Sequence, residues 1–476
     1  MKIDIKEVEF SPISVDDVGS LFFYEGRVFR AIKSEAVTAV KELFVSGLIE
    51  ELVKEKLFPK SWITDFQLED FGLIVEHERI SPVVYACEWS FNMLRDAALV
   101  ILQVNKVARK FNYQTKDCHT ANVLFDCAKP KFVDLGSFIK LNKNDVGWLP
   151  REDFLRLYYY PLIVWAKGSQ CFARSVFLSS RYATIYEFLL HLHPYLRLLK
   201  IDWLVRIAKM FFRYCQIGTV DEGRIKTKLS KFGFGSLLVW LKNYNLLPWQ
   251  KFDFDKIAKK IKKIQIKNIS SKWGDYQSLS EKKSFRFKEV SRIVDDFKIS
   301  SAVELGGNQG VFSQLLIEET KVEKVICTDY DDVAIDALYL KLKGKNLKIT
   351  PAVLDFIFSD EMPLDKRTYE RFRADAVFVL AVTHHLILTQ NIPLDYIFKT
   401  VSKFTNHYVF IEFLPLGLYS NNSKVQIPVP SWYNVDWFKR ELSKFCYIIC
   451  EEKLEANRIL FVGEKIEYFL VKKILS

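Results

Sequence analysis

The stretch from Ser300 to Asp332, SSAVELGGNQGVFSQLLIEETKVEKVICTDYDD, decides the fold of the second half of the chain. It opens with a short apolar strand that ends at Glu304, passes through a turn rich in glycine, and continues as a helix with regularly spaced apolar residues. A second strand then ends at Asp329. Strand, glycine turn, helix, strand and acid in this order predict the first half of a nucleotide-binding βαβ unit.

The acid at the end of the first strand indicates the charge of the ligand. A dinucleotide site uses three glycines to bring a pyrophosphate to a helix N-terminus. A carboxylate at Glu304 would repel that pyrophosphate and would suit a cationic ligand. The alternative is an ordinary turn between a strand and a helix, in which the glycines are incidental.

The motif of an acid followed by a glycine turn resembles the first motif of class I S-adenosylmethionine (SAM) methyltransferases. The cofactor of that family carries an ammonium and a sulfonium group. The resemblance implies that the turn lies against the amino-acid half of SAM, that the acid ending the second strand holds the ribose hydroxyls, and that a later pair contacts adenine. The cofactor-binding residues implied in this way are Glu304, Gly306, Gly307, Asn308, Gly310, Asp329, Asp355 and Phe356.

Alternating strands and helices continue from Asp329 to the end of the chain and predict a sheet covered by helices. We expect seven strands, of which the last two are antiparallel. Their order also resembles the class I methyltransferases, so we predict an α/β Rossmann-like seven-stranded methyltransferase domain over residues 271–476. Near its start, Trp273 and Tyr276 would close over the bound ligands or pin the linker to the domain.

His384 and His385 follow the fourth strand of the predicted sheet, on the side where a methyl acceptor would lie. A histidine with an ordinary pKa of about 6.5 can remove a proton from an acceptor hydroxyl. Adjacent residues on a loop point in different directions, so at most one of the two would be the base. The alternative is structural: one ring packs near adenine and the other caps the next helix.

A second group of candidate residues lies between Lys116 and Ser137. Asp117 and Asn122 are followed by two short strands and then by Asp134. This spacing resembles the catalytic and metal-binding loops of the kinase-like fold, closest to its small-molecule phosphotransferase branch. The resemblance implies that Asp117 orients or deprotonates an acceptor hydroxyl, and that Asn122 and Asp134 hold Mg²⁺ between the phosphates of ATP. The alternative is a loop that caps its own backbone.

The segment before these loops supports the same interpretation. Two strands joined at Glu25-Gly26 lead to Lys33, and a helix follows with Gly47 as a weak point. The resemblance implies that Lys33 contacts the nucleotide phosphates. We therefore predict an N-terminal α+β kinase-like domain over residues 1–215, although its isolated glycines form no glycine-rich phosphate loop.

Composition and charge limit the possible functions. The chain has 476 residues, of which 49% are hydrophobic and 15% are aromatic, enough for two cores. The net charge of +11 is densest over residues 251–267, where isoleucines at helical spacing predict an amphipathic basic helix. This helix, in a predicted linker over residues 216–270, would contact an anionic membrane surface or an acidic glycan, or would pack one face on a neighbouring element. No motif that reads DNA or RNA accompanies the charge, so no nucleic-acid partner is predicted.

Three features predict a cytoplasmic protein. No run of about 18 apolar residues indicates a transmembrane helix, and acids interrupt the apolar residues near the N-terminus, unlike in a secretory signal. The eight cysteines have neither metal-ligand nor disulfide spacing, which is typical of reduced thiols.

Across nearly its whole length, the chain resembles a family of bacterial proteins from nodulation and polysaccharide gene contexts, which join a kinase-like part to a SAM methyltransferase. The resemblance implies methyl transfer from SAM to a small-molecule, glycan or glycolipid acceptor, with a first domain that binds ATP and Mg²⁺ or positions the acceptor. A bifunctional glycan kinase-methyltransferase and a non-catalytic scaffold are the alternatives, and the oligomeric state stays open. The segments that carry the resemblance are residues 77–80, 88–90, 93–98, 116–137, 273–276, 303–313, 384–386 and 391–394.

Overall fold

The computed structural model describes residues 2–141, 147–177, 185–192, 252–266, 284–361, 367–418 and 428–467. The chain divides into two compact units. Two short segments from the first third of the chain belong to the unit that contains the glycine motif. Unit 1 comprises Met1–Arg79, Leu94–Leu124 and Pro130–Lys267, and unit 2 comprises Ile80–Met93, Phe125–Lys129 and Asn268–Ser476.

Unit 1 begins with an antiparallel sheet of five strands: β1 (Glu9–Val15), β2 (Gly19–Tyr24), β3 (Arg27–Ile32), β4 (Ser61–Ile63) and β5 (Leu73–His77). Their order across the sheet is β1-β2-β3-β5-β4. The β2–β3 hairpin turns at Glu25 and Gly26, which both have positive φ. The two strands predicted on either side of this turn are therefore confirmed.

Side chains alternate between the two faces of β3. Phe29 and Ala31 pack with Phe22 and Ile74 in a buried apolar cluster. Arg30 lies between Phe29 and Ala31 in the sequence and therefore points to the opposite face, where the whole residue is only 4% exposed. A buried guanidinium needs partners of opposite charge, and these come from the β1–β2 turn and from one of the candidate loops.

The helix predicted after Lys33 is interrupted. A 3₁₀ turn leads into α1 (Val37–Val45), and α2 (Leu48–Lys54) begins after Gly47. Gly47 has a φ of 80°, a left-handed conformation that glycine adopts without strain. The weak point expected at Gly47 is thus a complete break.

The candidate loops of unit 1 follow a long helix, α3 (Phe91–Lys110). Four short strands form two ribbons: β6 (Tyr113–Thr115) pairs with β9 (Phe138–Lys140), and β7 (Val123–Asp126) pairs with β8 (Lys129–Phe132). The loop with Asp117 and Asn122 connects β6 to β7, and Asp134 follows β8. The two strands predicted between these loops are confirmed.

The remaining described part of unit 1 is mainly helical: α4 (Arg151–Phe154), a π-helical turn (Leu155–Tyr159), α5 (Tyr160–Ala166), α6 (Gln170–Ser175), α7 (Ile185–Leu192) and α8 (Phe254–Lys262). α8 is the basic helix expected from the sequence. Its Phe254 and Ile261 are buried, and the rings of Phe254 and Trp148 are 5.4 Å apart, whereas Lys259 and Lys260 are exposed. The apolar face of α8 therefore packs within unit 1.

Unit 2 is built on a sheet of seven strands: β10 (Ser301–Leu305), β11 (Lys324–Asp329), β12 (Ile349–Val353), β13 (Ala374–Val379), β14 (Thr405–Phe413), β15 (Cys446–Glu455) and β16 (Arg458–Lys465). Their order is β12-β11-β10-β13-β14-β16-β15, with β10 to β14 parallel and β16 antiparallel to both neighbours. The apolar runs of β10 to β13 are buried, as in parallel strands covered on both faces. The predicted Rossmann-like seven-stranded sheet is confirmed.

Seven helices in the described part of unit 2 accompany this sheet: α9 (Phe285–Asp295), α10 (Val311–Glu319), α11 (Asp332–Leu342), α12 (Thr368–Phe372), α13 (Thr383–Leu388), α14 (Leu394–Ser402) and α15 (Val435–Leu442). The chain runs from β10 to β11 on one side and returns to β13 on the other, so the strand order reverses at β10. Ligands of open α/β sheets bind at such a reversal, outside the carboxyl ends of the strands. None of the described helices has the length and apolarity that crossing a membrane requires.

The segment Ile80–Met93 is bound into unit 2 by buried polar contacts. Glu88 is 1% exposed and pairs with Arg371 at 2.5 Å. The Ser90 hydroxyl and the Asn92 backbone N–H both donate to the Asp336 carboxylate at 2.7 Å. A buried carboxylate without a partner lowers the free energy of unfolding. Because Glu88 finds its partner in unit 2, the segment is an integral part of that unit.

Candidate functional site

The glycine turn between β10 and α10 has a backbone that side chains would obstruct. Gly306 has a φ of 75°, and a Cβ at this position would lie 2.6 Å from Cγ2 of Val382. At Gly307, a Cβ would lie 2.6 Å from the Cys327 sulfur. Gly310 begins α10 with a φ of 66°. Glycine is therefore required for this turn, which follows the carboxyl end of β10.

Asp329, at the end of β11, is hydrogen-bonded to this turn. Its Oδ2 accepts the backbone N–H of Asn308 at 2.8 Å, and its Oδ1 accepts that of Asp331 at 2.9 Å. Burial raises the pKa of Asp329 to about 6, although the backbone N–H groups counteract the rise. The acid of the second strand and the turn after the first strand are thus one connected structure.

Glu304 is buried close to the turn. Its Oε2 accepts the hydroxyl of Ser313 at 2.5 Å, and a Cβ on Gly307 would lie 2.9 Å from this carboxylate. Burial raises the pKa of Glu304 to about 7, while the bond from Ser313 and the charge of Arg286 lower it. Glu304 is therefore a carboxyl group that titrates near neutrality.

Asp355 and Phe356 follow β12, the third strand on this side of the sheet. Asp355 is exposed, and its Oδ1 accepts the Ile357 N–H at 3.2 Å. Phe356 is 6% exposed. The acids after β11 and β12 therefore lie at the carboxyl ends of neighbouring strands, where a parallel sheet gathers them at one edge.

His384 and His385 lie in α13, which begins at Thr383, so the predicted loop is wrong. The Thr383 hydroxyl donates to the Glu412 carbonyl at 2.9 Å, and the two histidine ring centroids are 4.0 Å apart. His384 is buried, and its Nδ1 has no hydrogen-bond partner among the described residues. Burial lowers the pKa of His384 to about 3, with further lowering from His385 and Arg458. His384 is consequently neutral at physiological pH.

A buried ion cluster near His384 was not predicted from the sequence. Glu412 in β14 is completely buried and accepts Nε and Nη2 of Arg286 at 2.6 and 2.8 Å. Arg458 Nη1 lies 3.2 Å from the same carboxylate. An acid within the apolar run of β14 was the available signal, but Arg286 lies in a helix 126 residues earlier, so sequence proximity could not identify it.

In unit 1, the structure brings Asp117, Asn122 and Asp134 together. The Asn122 side-chain amide donates to Oδ1 of Asp117 at 2.5 Å and to Oδ2 of Asp134 at 3.4 Å. No group of three or more His, Cys, Asp or Glu residues in the described part of the chain is arranged to hold a metal. The binding of Mg²⁺ by Asn122 and Asp134 therefore stays a prediction.

Two further residues, Asp16 and Arg30, join this group and were missed. Arg30 is ion-paired with Asp16 in the β1–β2 turn, and its Nη1 lies 3.2 Å from Oδ1 of Asp134. Lys33 donates from Nζ to the Asp16 carbonyl at 3.0 Å, and its contact with nucleotide phosphates stays a prediction. The alternation of Phe29, Arg30 and Ala31 in β3 was the signal that could have identified Arg30.

Comparisons with known proteins complete this description. No family model matches the chain. The nodulation protein NoeA of Rhizobium meliloti (strain 1021) is a distant relative, 25% identical over 434 residues, which cover 84% of this chain and 83% of NoeA.

Similar solved structures include methyltransferases, and each covers about two fifths of this chain. The PH0226 protein of Pyrococcus horikoshii OT3 has 16% identity and a TM-score of 0.33, and the match covers 41% of this chain and 96% of that one. The methyltransferase domain of bacterial CtHen1 has 16% identity and a TM-score of 0.30, covering 40% and 99%. Human N-acetylserotonin methyltransferase, crystallised with SAM, has 14% identity and a TM-score of 0.27, covering 40% and 57%.

Proposed function

We propose that unit 2 is a SAM-dependent methyltransferase that acts on a small-molecule, glycan or glycolipid acceptor. The observation that carries this proposal is the bond between the Asn308 N–H and Asp329, 2.8 Å long, at the carboxyl edge of the sheet. It places a carboxylate beside a bare glycine turn where the strand order reverses. A ligand with both hydroxyl and cationic groups fits this carboxylate and turn. The carboxylate of Asp329 would accept hydrogen bonds from the hydroxyl groups, and Glu304 and Asp329 would attract the cation.

The residues present fit the cofactor. Side chains at the turn would collide with Val382 or Cys327, so glycine is needed for the tight turn whose backbone would approach the ligand. Asp329 has lone pairs beyond those used by backbone N–H groups and would hold the ribose hydroxyls. Phe356 offers a largely apolar ring for a base, and Glu304 lies close enough to the turn to favour a positive charge. When bound, SAM supplies an electrophilic methyl group.

The two histidines have different roles in this proposal. His384 is neutral and buried, and its Nδ1, which no described residue bonds, is suited to hydrogen bonding with a ligand group rather than to proton removal. His385 is only half-buried and would accept the proton of an acceptor hydroxyl. The charged cluster around Glu412 would keep the neighbouring α13 in place through the bond from Thr383.

We further propose that unit 1 is a kinase-like module that positions the acceptor. The clustering of Asp117, Asn122 and Asp134 supports this, because two carboxylates and an amide suit a hydroxyl-bearing ligand or Mg²⁺. A bifunctional glycan kinase-methyltransferase would use the same group with ATP. A non-catalytic scaffold would use neither site. The exposed lysines of α8 would add contact with an anionic membrane surface or an acidic glycan.

SAM binding by isothermal titration calorimetry tests the proposal. Gly306→Ala introduces a Cβ 2.6 Å from Val382, whereas Gly344→Ala has the same kind of backbone, with a φ of 78°, and no atom within 4 Å. We expect the wild-type chain and Gly344→Ala to bind SAM equally, and Gly306→Ala to bind at least about tenfold more weakly. Undetectable binding by the wild type, or equal binding by all three proteins, would reject the methyltransferase proposal.

A further inference from the structure

The β1–β2 turn of unit 1 is closed by its own carboxylate. Oδ1 of Asp16 accepts the backbone N–H groups of Val18 and Gly19, both at 2.8 Å. Oδ2 of the same side chain is ion-paired with Arg30. One carboxylate thus binds two successive amides of a turn and a guanidinium.

Arg30 is held at this position from several sides. Its side chain is 5% exposed, and Nη1 lies 3.2 Å from Oδ1 of Asp134. A Cβ on Gly136 would lie 2.8 Å from both Nη2 of Arg30 and Oδ2 of Asp16, so the Asp16–Arg30 pair packs directly on this glycine. Nε of Arg30 is buried and has no hydrogen-bond partner among the described residues. The guanidinium therefore has a donor that its carboxylate partners leave unused.

Two turn amides and a buried guanidinium form an anion site. Successive backbone N–H groups and an arginine are the donors that proteins use for phosphoryl oxygens. The Asp16 side chain is 27% exposed, so it lies at the open side of this site, whereas Arg30 lies at its closed side. Asp16 thus occupies the place where a phosphoryl group would find the same donors.

We propose that Asp16 is an internal substitute for a phosphoryl group, and that a polyphosphate-bearing ligand binds unit 1 only by displacing it. Two anions cannot share the amides and the guanidinium, and the nearby carboxylate of Asp134 adds repulsion. In the native chain, Asp16 therefore weakens the binding of polyphosphates, and unit 1 serves for positioning rather than phosphoryl transfer. This inference depends on the geometry of unit 1 alone and is independent of methyl transfer in unit 2.

The experiment measures binding of inorganic tripolyphosphate to the full-length chain by calorimetry, without divalent cations. Asp16→Asn keeps an oxygen that can accept from the Val18 and Gly19 amides and removes the charge. We expect it to bind tripolyphosphate at least tenfold more tightly than the wild type. Asp17→Asn, one residue along and exposed, is the matched control and should bind as the wild type does. The double variant Asp16→Asn, Arg30→Met should bind tripolyphosphate no more tightly than the wild type does.

Equal affinities for the wild type and Asp16→Asn would overturn the proposal, as would a gain that persists without Arg30. Parallel titrations with ATP and with adenosine show whether the ligand is a nucleotide or a free polyphosphate. Tighter binding of ATP than of tripolyphosphate indicates a nucleotide. Equal binding of ATP and tripolyphosphate, with no binding of adenosine, indicates that the phosphates alone are recognised.

Amide hydrogen exchange in the wild type provides a second test that needs no variant. Val18 and Gly19 should be protected without ligand and unchanged by tripolyphosphate, and protection that arises only on its addition would contradict the proposal.

Discussion

Both units contain buried arginines beside a candidate site, and they differ in which carboxylate neutralises them. In unit 2, Glu412 from the interior of the sheet binds Arg286 and Arg458, and neither arginine pairs with a residue of the glycine turn in the contacts described above. In unit 1, the turn's own Asp16 binds Arg30 together with Asp134. The two units thus differ in whether the carboxylate that pairs with the buried guanidinium belongs to the turn itself or to a strand of the sheet.

The largest expected effect concerns unit 2, where one carboxylate serves two arginines. Glu412→Ala removes the two hydrogen bonds that the buried Arg286 makes to this carboxylate and one of the two carboxylate partners of Arg458. Breaking a buried pair in this way costs about 4 kcal/mol. We expect this loss in the free energy of unfolding of unit 2, measured by urea denaturation. Glu451→Ala, which breaks a half-exposed pair with Lys439, should cost less than about 1 kcal/mol. Similar losses for the two variants would show that the Glu412 cluster is not a structural requirement.

The second prediction tests whether unit 2 needs the segment Ile80–Met93. Glu88→Ala leaves Arg371 without its buried carboxylate and should destabilise unit 2 by about 3 kcal/mol. A reduced urea midpoint with an unchanged slope would agree with this. Glu51→Ala, which removes the partner of the exposed Lys54 in unit 1, is the control and should cost less than about 1 kcal/mol. If Glu88→Ala left the free energy of unfolding unchanged, the stability of unit 2 would not depend on the Glu88–Arg371 pair of this segment.

The third prediction concerns the pH dependence of unit 2 and follows from Glu304. Its folded-state pKa of about 7 lies above the ordinary value of 4.5, so the folded state binds the proton more tightly than the unfolded state does. Stability from this group is therefore fully present below pH 4.5 and is lost as the pH rises through 7. Glu304→Gln should remove this decline, on the order of 2 kcal/mol between pH 5 and 8. A pH profile identical to that of the wild type would refute the assignment.

The smallest expected effect is the loss of one of the two carboxylates on Arg30. Asp16→Asn leaves the pair between Arg30 and Asp134, so unit 1 should lose only about 1 kcal/mol in urea unfolding. This contrasts with Glu412, whose removal takes both carboxylate hydrogen bonds from the buried Arg286. A loss as large as that for Glu412→Ala would remove the distinction between the two units.

The sequence predicted the sheet of unit 2 well because its strands are apolar runs separated by turn and helix signals. It also indicated that Asp329 and the glycine turn would meet, since both follow neighbouring parallel strands. It did not predict α13, because Thr383 is fixed by a bond to the Glu412 carbonyl, a tertiary contact with a strand 29 residues away.

In unit 1, the sequence grouped Asp117, Asn122 and Asp134 through their spacing and missed Arg30. Lys33 is the basic residue that the kinase-like pattern led us to expect. However, Phe29 and Ala31 point into the apolar cluster, so Arg30 points to the other face of β3 and pairs with Asp134. Likewise, no local pattern indicates that Glu88 belongs to unit 2, because its partner Arg371 is 283 residues away. Side-chain pairing over such distances is decided by packing and cannot be read from periodicity.

Transfer of a labelled methyl group is the most direct test of the central claim. The full-length chain and Gly306→Ala would be incubated with isotopically labelled SAM and a cell-envelope extract, and the products would be analysed by mass spectrometry. We predict a labelled product with the wild type and a strongly reduced amount with Gly306→Ala, while Gly344→Ala matches the wild type. Equal labelling by all three proteins, or no labelled product with the wild type, would contradict methyl transfer at the glycine turn.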